Sequence, residues 1–166
     1  MTVKSVQDLL LEELRDLYHA ERQLLKALPK MAKAAKSDQL RQAFEHHLEE
    51  TRGQVERLER MFELLDVRSR GKPCEAMQGL VEEAKEMMEE IKTPEVLDAA
   101  LITAAQKVEH YEIASYGSAC ALAEALGQKD IAKLLTETLD EEKAADRKLN
   151  EIAQSDVNQV ALKVAA

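Results

Sequence analysis

The sequence predicts an all-α protein: an antiparallel four-helix bundle with one long crossover that carries an extra short helix. Three observations predict it. Apolar residues recur at three- and four-residue spacing almost throughout, which is the period of an amphipathic helix. Ala, Leu, Glu, Lys and Gln dominate, all strong helix formers. Five glycines and three prolines leave few breaks, and those breaks mark out four long helical stretches and one short one.

The first stretch spans roughly residues 5–35, with the stripe Leu10, Leu14, Leu17, Glu21, Leu24, Leu28, Met31. Pro29 falls inside it and removes one backbone donor, so a kink is expected there. Ser37-Asp38 caps the second stretch, roughly 38–66, whose stripe includes Leu40, Phe44, His47, Thr51, Gln54, Leu58 and Met61. A loop with Gly71 and Pro73 follows, then a short helix over about 75–91 with Met77, Leu80, Ala84 and Met87 facing inward. Thr93-Pro94-Glu95 is a helix start: a cap, a proline in the first turn, and an acid at the positive end. It opens a helix over about 94–126, which Gly127 ends. The last long helix covers about 129–154, and weak periodicity predicts a frayed tail over 155–166.

The two short turns make two antiparallel hairpins. The connection between them, about 27 residues, exceeds what an up-down-up-down bundle needs. Its short helix alone reaches roughly 25 Å at 1.5 Å per residue, enough to return the chain along the bundle. One such crossover is the connectivity of ferritin-like folds. The 166 residues suit a single domain. A weak internal repeat supports a pseudo-twofold arrangement. His19-Ala20-Glu21 aligns with His110-Tyr111-Glu112, and Leu48-Glu49-Glu50 with Leu139-Asp140-Glu141. Glu21 precedes Glu50 by 29 residues, and Glu112 precedes Glu141 by the same 29.

Bulk properties exclude several functions. The net charge of −9 repels phosphate backbones, and aromatics at 3% leave no base-stacking platform, so no nucleic-acid partner is expected. No run reaches the roughly 18 apolar residues of a membrane span. No signal-peptide pattern follows Met1, and Cys74 and Cys120 form neither a C-x-x-C motif nor a disulfide framework. A cytoplasmic location with reduced thiols is expected.

Carboxylates on an apolar stripe need a reason, because an unpaired buried charge is very costly. Glu21 is flanked by leucines at 14, 17, 24 and 28, and Glu109 and Glu112 share one side of the fourth helix. Glu50 and Glu141 are added by the repeat. Two divalent cations between such carboxylates relieve their repulsion, and an oxygen-dominated set favours iron, with manganese as the alternative. His47 reads as a hydrogen-bonded core residue, His19 and His110 as flank residues, and His46 as a surface residue. Apolar methionines on one side of the short helix suggest a homodimer patch.

The stretch Lys107-Val108-Glu109-His110-Tyr111-Glu112-Ile113-Ala114-Ser115-Tyr116-Gly117 resembles the YciF-type family of bacterial ferritin-like stress proteins. So do His47-Leu48-Glu49-Glu50-Thr51 with Gly53-Gln54, and Glu137-Thr138-Leu139-Asp140-Glu141-Glu142-Lys143. The resemblance implies a rubrerythrin-like bundle, a dinuclear metal centre, dimerisation and a role in stress response. The Glu109/Glu112 pair is similar to the paired glutamates on the third bundle helix of rubrerythrin-type sites. The wider pattern sets a histidine three residues after the glutamates of the second and fourth bundle helices, where this chain has Gly53 and Ala144. Gln54 is then expected to supply an amide oxygen, with Glu142 or Asp146 as a further carboxylate. The expected metal residues are Glu21, Glu50, Gln54, Glu109, Glu112 and Glu141. Three roles stay open: a di-iron oxidoreductase acting on peroxide or dioxygen, a non-enzymatic iron binder, and a helical scaffold dimer with a degenerate site.

Overall fold

A computed structural model describes residues 3–164, and among these the chain is all helix and connecting turns. The helices are α1 Val6–Ala34, α2 Asp38–Leu64, α3 Glu75–Glu90, α4 Pro94–Ala125, α5 Lys129–Ile152 and α6 Asn158–Val164. Local chemistry sets their ends. Ser5 Oγ accepts from the Asp8 amide at 3.1 Å and Ser37 Oγ from the Leu40 amide at 3.4 Å, each satisfying an otherwise orphaned first-turn donor. Gly127 takes φ 70°, the left-handed conformation that stops α4 and that glycine adopts without a Cβ penalty. α1 runs on through Pro29.

The turn between α1 and α2 is held from outside the hairpin. Asp98 on α4 is buried, and its two carboxylate oxygens accept from the backbone amides of Lys36 and Ser37, both at 2.8 Å. A charge-assisted pair of this kind fixes where α4 begins relative to the first hairpin.

α1 packs on α2, α4 on α5, α1 on α4 and α2 on α5, so the four long helices close a ring. Two apolar clusters give their directions. One joins the start of α1 (Leu10, Leu14) to the ends of α2 and α4 (Phe62, Ala123) and the start of α5 (Ile131). The other joins the end of α1 (Met31) to the starts of α2 and α4 (Leu40, Leu101) and the end of α5 (Ile152). α2 and α4 therefore point the same way, and the chain must travel back along the bundle between them. α3 lies in that return and packs against α4 and α1.

Over residues 155–164 the frayed tail expected from the sequence is helical instead, and 165–166 lie outside the described residues. After Ile152 the chain makes a π-helical turn over Ala153–Val157 and then α6. The extra residue in that turn re-aims the side chains, and Val157 is left only 2% exposed against the second cluster. Burial of one valine side chain, worth about 1.5–3 kcal/mol, suffices to order a short segment that propensity alone would leave loose. The inward face expected for α3 forms. Met77 is fully buried and Leu80 and Met88 pack on the same cluster, so α3 turns its apolar residues to the core. The exposed large apolar side chains lie elsewhere, among them Val6 and Leu9 near the start of the chain and Leu162 and Val164 on α6.

Candidate metal centre

Between the two apolar clusters lies a band of polar residues with almost no solvent contact. Glu21, Thr51, Gln54, Glu112, Thr138 and Glu142 are fully buried, and His47 and Glu109 nearly so. Helical spacing puts them there. On α2 the inward series runs Leu40, Phe44, His47, Thr51, Gln54, Leu58. On α5 it runs Ile131, Leu135, Thr138, Glu142, Leu149, so Glu142 sits one heptad from a leucine on each side.

Glu21 and Glu112, partners in the internal repeat, both occupy the centre. Tyr116 donates its hydroxyl to Glu21 Oε1 at 2.5 Å, leaving Glu21 Oε2 without a partner. Neither oxygen of Glu112 has a hydrogen-bond partner. His47 Nδ1 meets Glu50 Oε2 at 3.1 Å, while its Nε2 lies 3.4 Å from Glu109 Oε1 and 3.6 Å from Glu142 Oε2. Gln54 donates its amide to Glu142 Oε1 and, at 3.1 Å, to Glu141 Oε2; its own carbonyl oxygen is unpartnered.

Glu50 and Glu141, the second repeat pair, stand one residue off the inward series and are half-buried. Glu50 is held by His47 and, at 3.3 Å, by His46. Glu141 is clasped by the Arg57 guanidinium, whose second amine reaches Oε2 at 2.7 Å. The inward carboxylate of α5 is thus Glu142, where the repeat had pointed to Glu141. His47, read from the sequence as a core residue, turns its Nε2 into the carboxylate group. The signal that finds both is strict three-four spacing along the stripe, which passes through 47, 51, 54 and through 138, 142, 149. The repeat misses them because the inward pairs differ between hairpins: His47 matches Thr138, and Thr51 matches Glu142. His19 bonds the loop instead, accepting from the Cys74 amide at 3.1 Å, and His110 is exposed beside Asp146.

Burial dominates the electrostatics. It pushes Glu21 up to about 8, with the charge of Glu142 adding and the Tyr116 hydroxyl opposing. It also pushes Glu109 up to about 8, against the effect of its contact with Glu142. Glu112 and Glu142 rise well above the usual carboxylate range, first from burial and then, for Glu112, from the charges of Glu21, Glu142 and Glu109. Burial works against a charged His47, yet the bond to Glu50 and the charges of Glu142, Glu50 and Glu21 outweigh it and raise the imidazole.

A cation fits this donor set. His47, Glu109, Glu112 and Glu142 each offer one ligand atom, all within 4.8 Å of one another. Their unpartnered atoms are the ones a metal would engage, and unpaired buried polar atoms otherwise cost about 1–3 kcal/mol each. Carboxylate oxygens with one imidazole nitrogen suit iron or manganese better than a thiolate-seeking metal. Glu50 on Nδ1 gives His47 the outer carboxylate that commonly orients a ligating imidazole.

Residues 5–162 match the family described as "Domain of unknown function (DUF892)". The chain belongs to that family. It is 51% identical to Protein YciF of Escherichia coli K12 over 162 residues, which is 97% of this chain and 98% of YciF. The crystal structure of that E. coli stress protein matches with a TM-score of 0.90 at 52% identity, covering 94% of this chain and 99% of the other. YcfI from Rhodopseudomonas palustris, described as a candidate structural protein, matches with a TM-score of 0.88 at 51% identity, covering 89% and 94%. At 22% identity, protein XCC3681 of Xanthomonas campestris pv. campestris shares the fold, with a TM-score of 0.77 and coverage of 97% and 99%. The YciF-type resemblance of the sequence is thereby borne out. No helix among the described residues is long and apolar enough to cross a membrane.

Proposed function

We propose that this YciF-type chain is a ferritin-like four-helix bundle binding a dinuclear metal centre, iron with manganese as the alternative, and that it handles peroxide or dioxygen in a bacterial stress response. The observation that carries this reading is Glu112: a fully buried carboxylate with both oxygens unpartnered, set among three more buried carboxylates. Four such groups without cations must hold protons or repel one another. Glu21, His47, Glu109, Glu112 and Glu142 would hold the ions, with Glu50 and Gln54 at the edge of the set. Redox-active metal ions there would supply one-electron transfers and Lewis acidity. The chain supplies positioning. Tyr116 fixes one oxygen of Glu21, Gln54 fixes one oxygen of Glu142, and Glu50 fixes the ring of His47, so each presents its free atom inward. The flanking apolar clusters wall the centre off toward both ends of the bundle.

Metal analysis of the protein purified without chelator tests the proposal, with Glu112→Gln alongside. We expect bound iron or manganese in the wild type and its loss in the variant. We expect the metal-free variant to be more stable than metal-free wild type, because glutamine needs neither a buried charge nor the uptake of a proton on folding. A wild type without metal, or an unchanged variant, would sink the reading.

A second reading, an iron binder or scaffold without turnover, is favoured by one feature: Gly53 and Ala144 stand where the wider pattern has histidines. Peroxide consumption by the iron-loaded protein, compared with free iron at equal concentration, separates the two. A cytoplasmic homodimer completes the proposal, and light scattering at micromolar concentration tests the dimer.

A further inference from the structure

The buried centre lies between two seams of the helix ring, α1–α4 and α2–α5, and the structure treats them differently. α3 covers the first. Leu80, Ala84 and Met88 of α3 pack with Leu24 and Val108 in one apolar cluster, leaving a smaller cavity of about 300 Å³ between α1, α3 and α4, and Lys107 pairs with Glu83 at 2.8 Å on the exposed edge. Among the described residues no helix covers the second. There a groove of about 580 Å³ opens from solvent and runs down to His47, Glu50 and Glu109. Its volume falls within the range of about 300–1,000 Å³ typical of small-molecule sites.

The side chains explain why the seam is open. Ala43 on α2 and Ala144 and Ala145 on α5 stand where larger residues would fill the gap, while Phe44 and Leu149 supply apolar walls. Lys148 stands on the lining and keeps its ammonium largely in solvent beside Glu151 at 3.7 Å. The inner end differs from the walls. Glu50 is half-buried there, and behind it the buried His47 Nε2 and Glu109 Oε2 make no hydrogen bond. A passage for hydrogen peroxide alone, a small polar molecule, has no use for apolar walls of this extent, and a dioxygen passage needs far less width. An apolar body with one polar end matches them: the body lies against Ala43, Phe44 and Ala145, and the polar end meets the half-buried Glu50, in front of His47 and Glu109.

We propose that the α2–α5 groove is a binding site for small organic molecules with an apolar body and a terminal oxygen head, the class of alkyl and aryl hydroperoxides and their alcohols. For the head group this rests on the metal-centre reading; for the body it rests on the groove alone. The unreactive probe is 2-phenyl-2-propanol, followed by saturation-transfer NMR on the full-length protein as purified, with metal content measured on the same samples. Ala145→Phe on one wall and Ala43→Leu on the other fill the groove without touching the buried carboxylates.

We expect saturable transfer to the probe in the wild type. Binding should weaken by roughly tenfold or more in each variant, the size of effect a steric block produces. Melting temperature and metal content should stay near wild type. Absence of transfer in the wild type, or undiminished transfer in whichever variant folds, overturns the proposal. A wild-type dimer that Ala145→Phe dissociates, seen by light scattering, also overturns it, since a second copy then fills the groove. Probe binding by a protein that proves to hold no metal supports the groove while the metal reading fails.

Discussion

Tyr116 on α4 donates its hydroxyl to Glu21 Oε1 on α1 at 2.5 Å, with both side chains fully buried. This bond favours the ionised form of Glu21, against burial and the charge of Glu142. Tyr116→Phe removes the donor and leaves a second buried oxygen of Glu21 unsatisfied. The expected loss of stability is about 1–3 kcal/mol by urea unfolding of the metal-free protein. Metal affinity should fall as well, because the ligand now ionises less readily and turns more freely. A variant with unchanged stability and affinity would remove Tyr116 from any positioning role.

The metal-free protein should lose stability as pH rises from about 4.5 to beyond 8. Glu21 and Glu109 have folded values near 8, and Glu112 and Glu142 are also raised. A group raised in the folded state binds more protons folded than unfolded between its two values. Its stabilisation is complete below the unfolded value and is lost as pH passes the folded one. Glu12 and Glu50 are lowered and act in the opposite sense, adding stability that disappears only as pH falls below the ordinary carboxylate range. Metal should reverse the main slope, because ligands must deprotonate to bind and affinity then rises with pH. Unfolding midpoints at pH 5 to 8.5, with and without added metal, check both signs.

Neighbouring glutamates on α5 should behave in opposite ways. Glu142 faces the centre with one unpartnered oxygen, whereas Glu141 is taken up by Arg57 and by Gln54. Glu142→Gln should weaken metal binding by about tenfold or more, the order seen when groups supporting a metal site are lost. Glu141→Gln should leave it within about twofold, since the change touches a side chain already neutralised by a guanidinium. Competition titration with a chromogenic chelator measures both. Equal losses would mean that Arg57 releases Glu141 to the metal.

That pair also shows what was legible in the sequence. The helices and their order follow from a repeated spacing and a few stops such as Pro94 and Gly127, because local chemistry sets helix ends. Glu21, Glu109 and Glu112 were legible because each interrupts an otherwise apolar stripe. Glu142 and His47 were harder. One residue turns a helix by about 100°, so a choice between adjacent glutamates decides inside from edge. The internal repeat favours the identical pair Glu50 and Glu141, yet in both hairpins that position lies at the edge. The centre is less symmetric than the repeat, with His47 and Glu142 each matched by a threonine. No local pattern reports which half of the repeat turns its polar residue inward.

The chain end was illegible for a different reason. After Ile152 the three-four spacing breaks, which reads as the end of order, but the break is a π-helical turn that shifts the phase of the stripe. Val157 then lands beside α4-side core residues and is 2% exposed. If that single side chain anchors the segment, Val157→Ala should cost about 1–2 kcal/mol, the transfer energy of the two carbon groups removed. It should also speed amide exchange throughout α6 while leaving exchange in α1 to α4 near wild type, because α6, which begins at the next residue, buries no side chain of its own. Hydrogen-exchange mass spectrometry resolves the segment. Unchanged protection in α6 would show that the helix is held by its backbone contacts and that the valine merely follows.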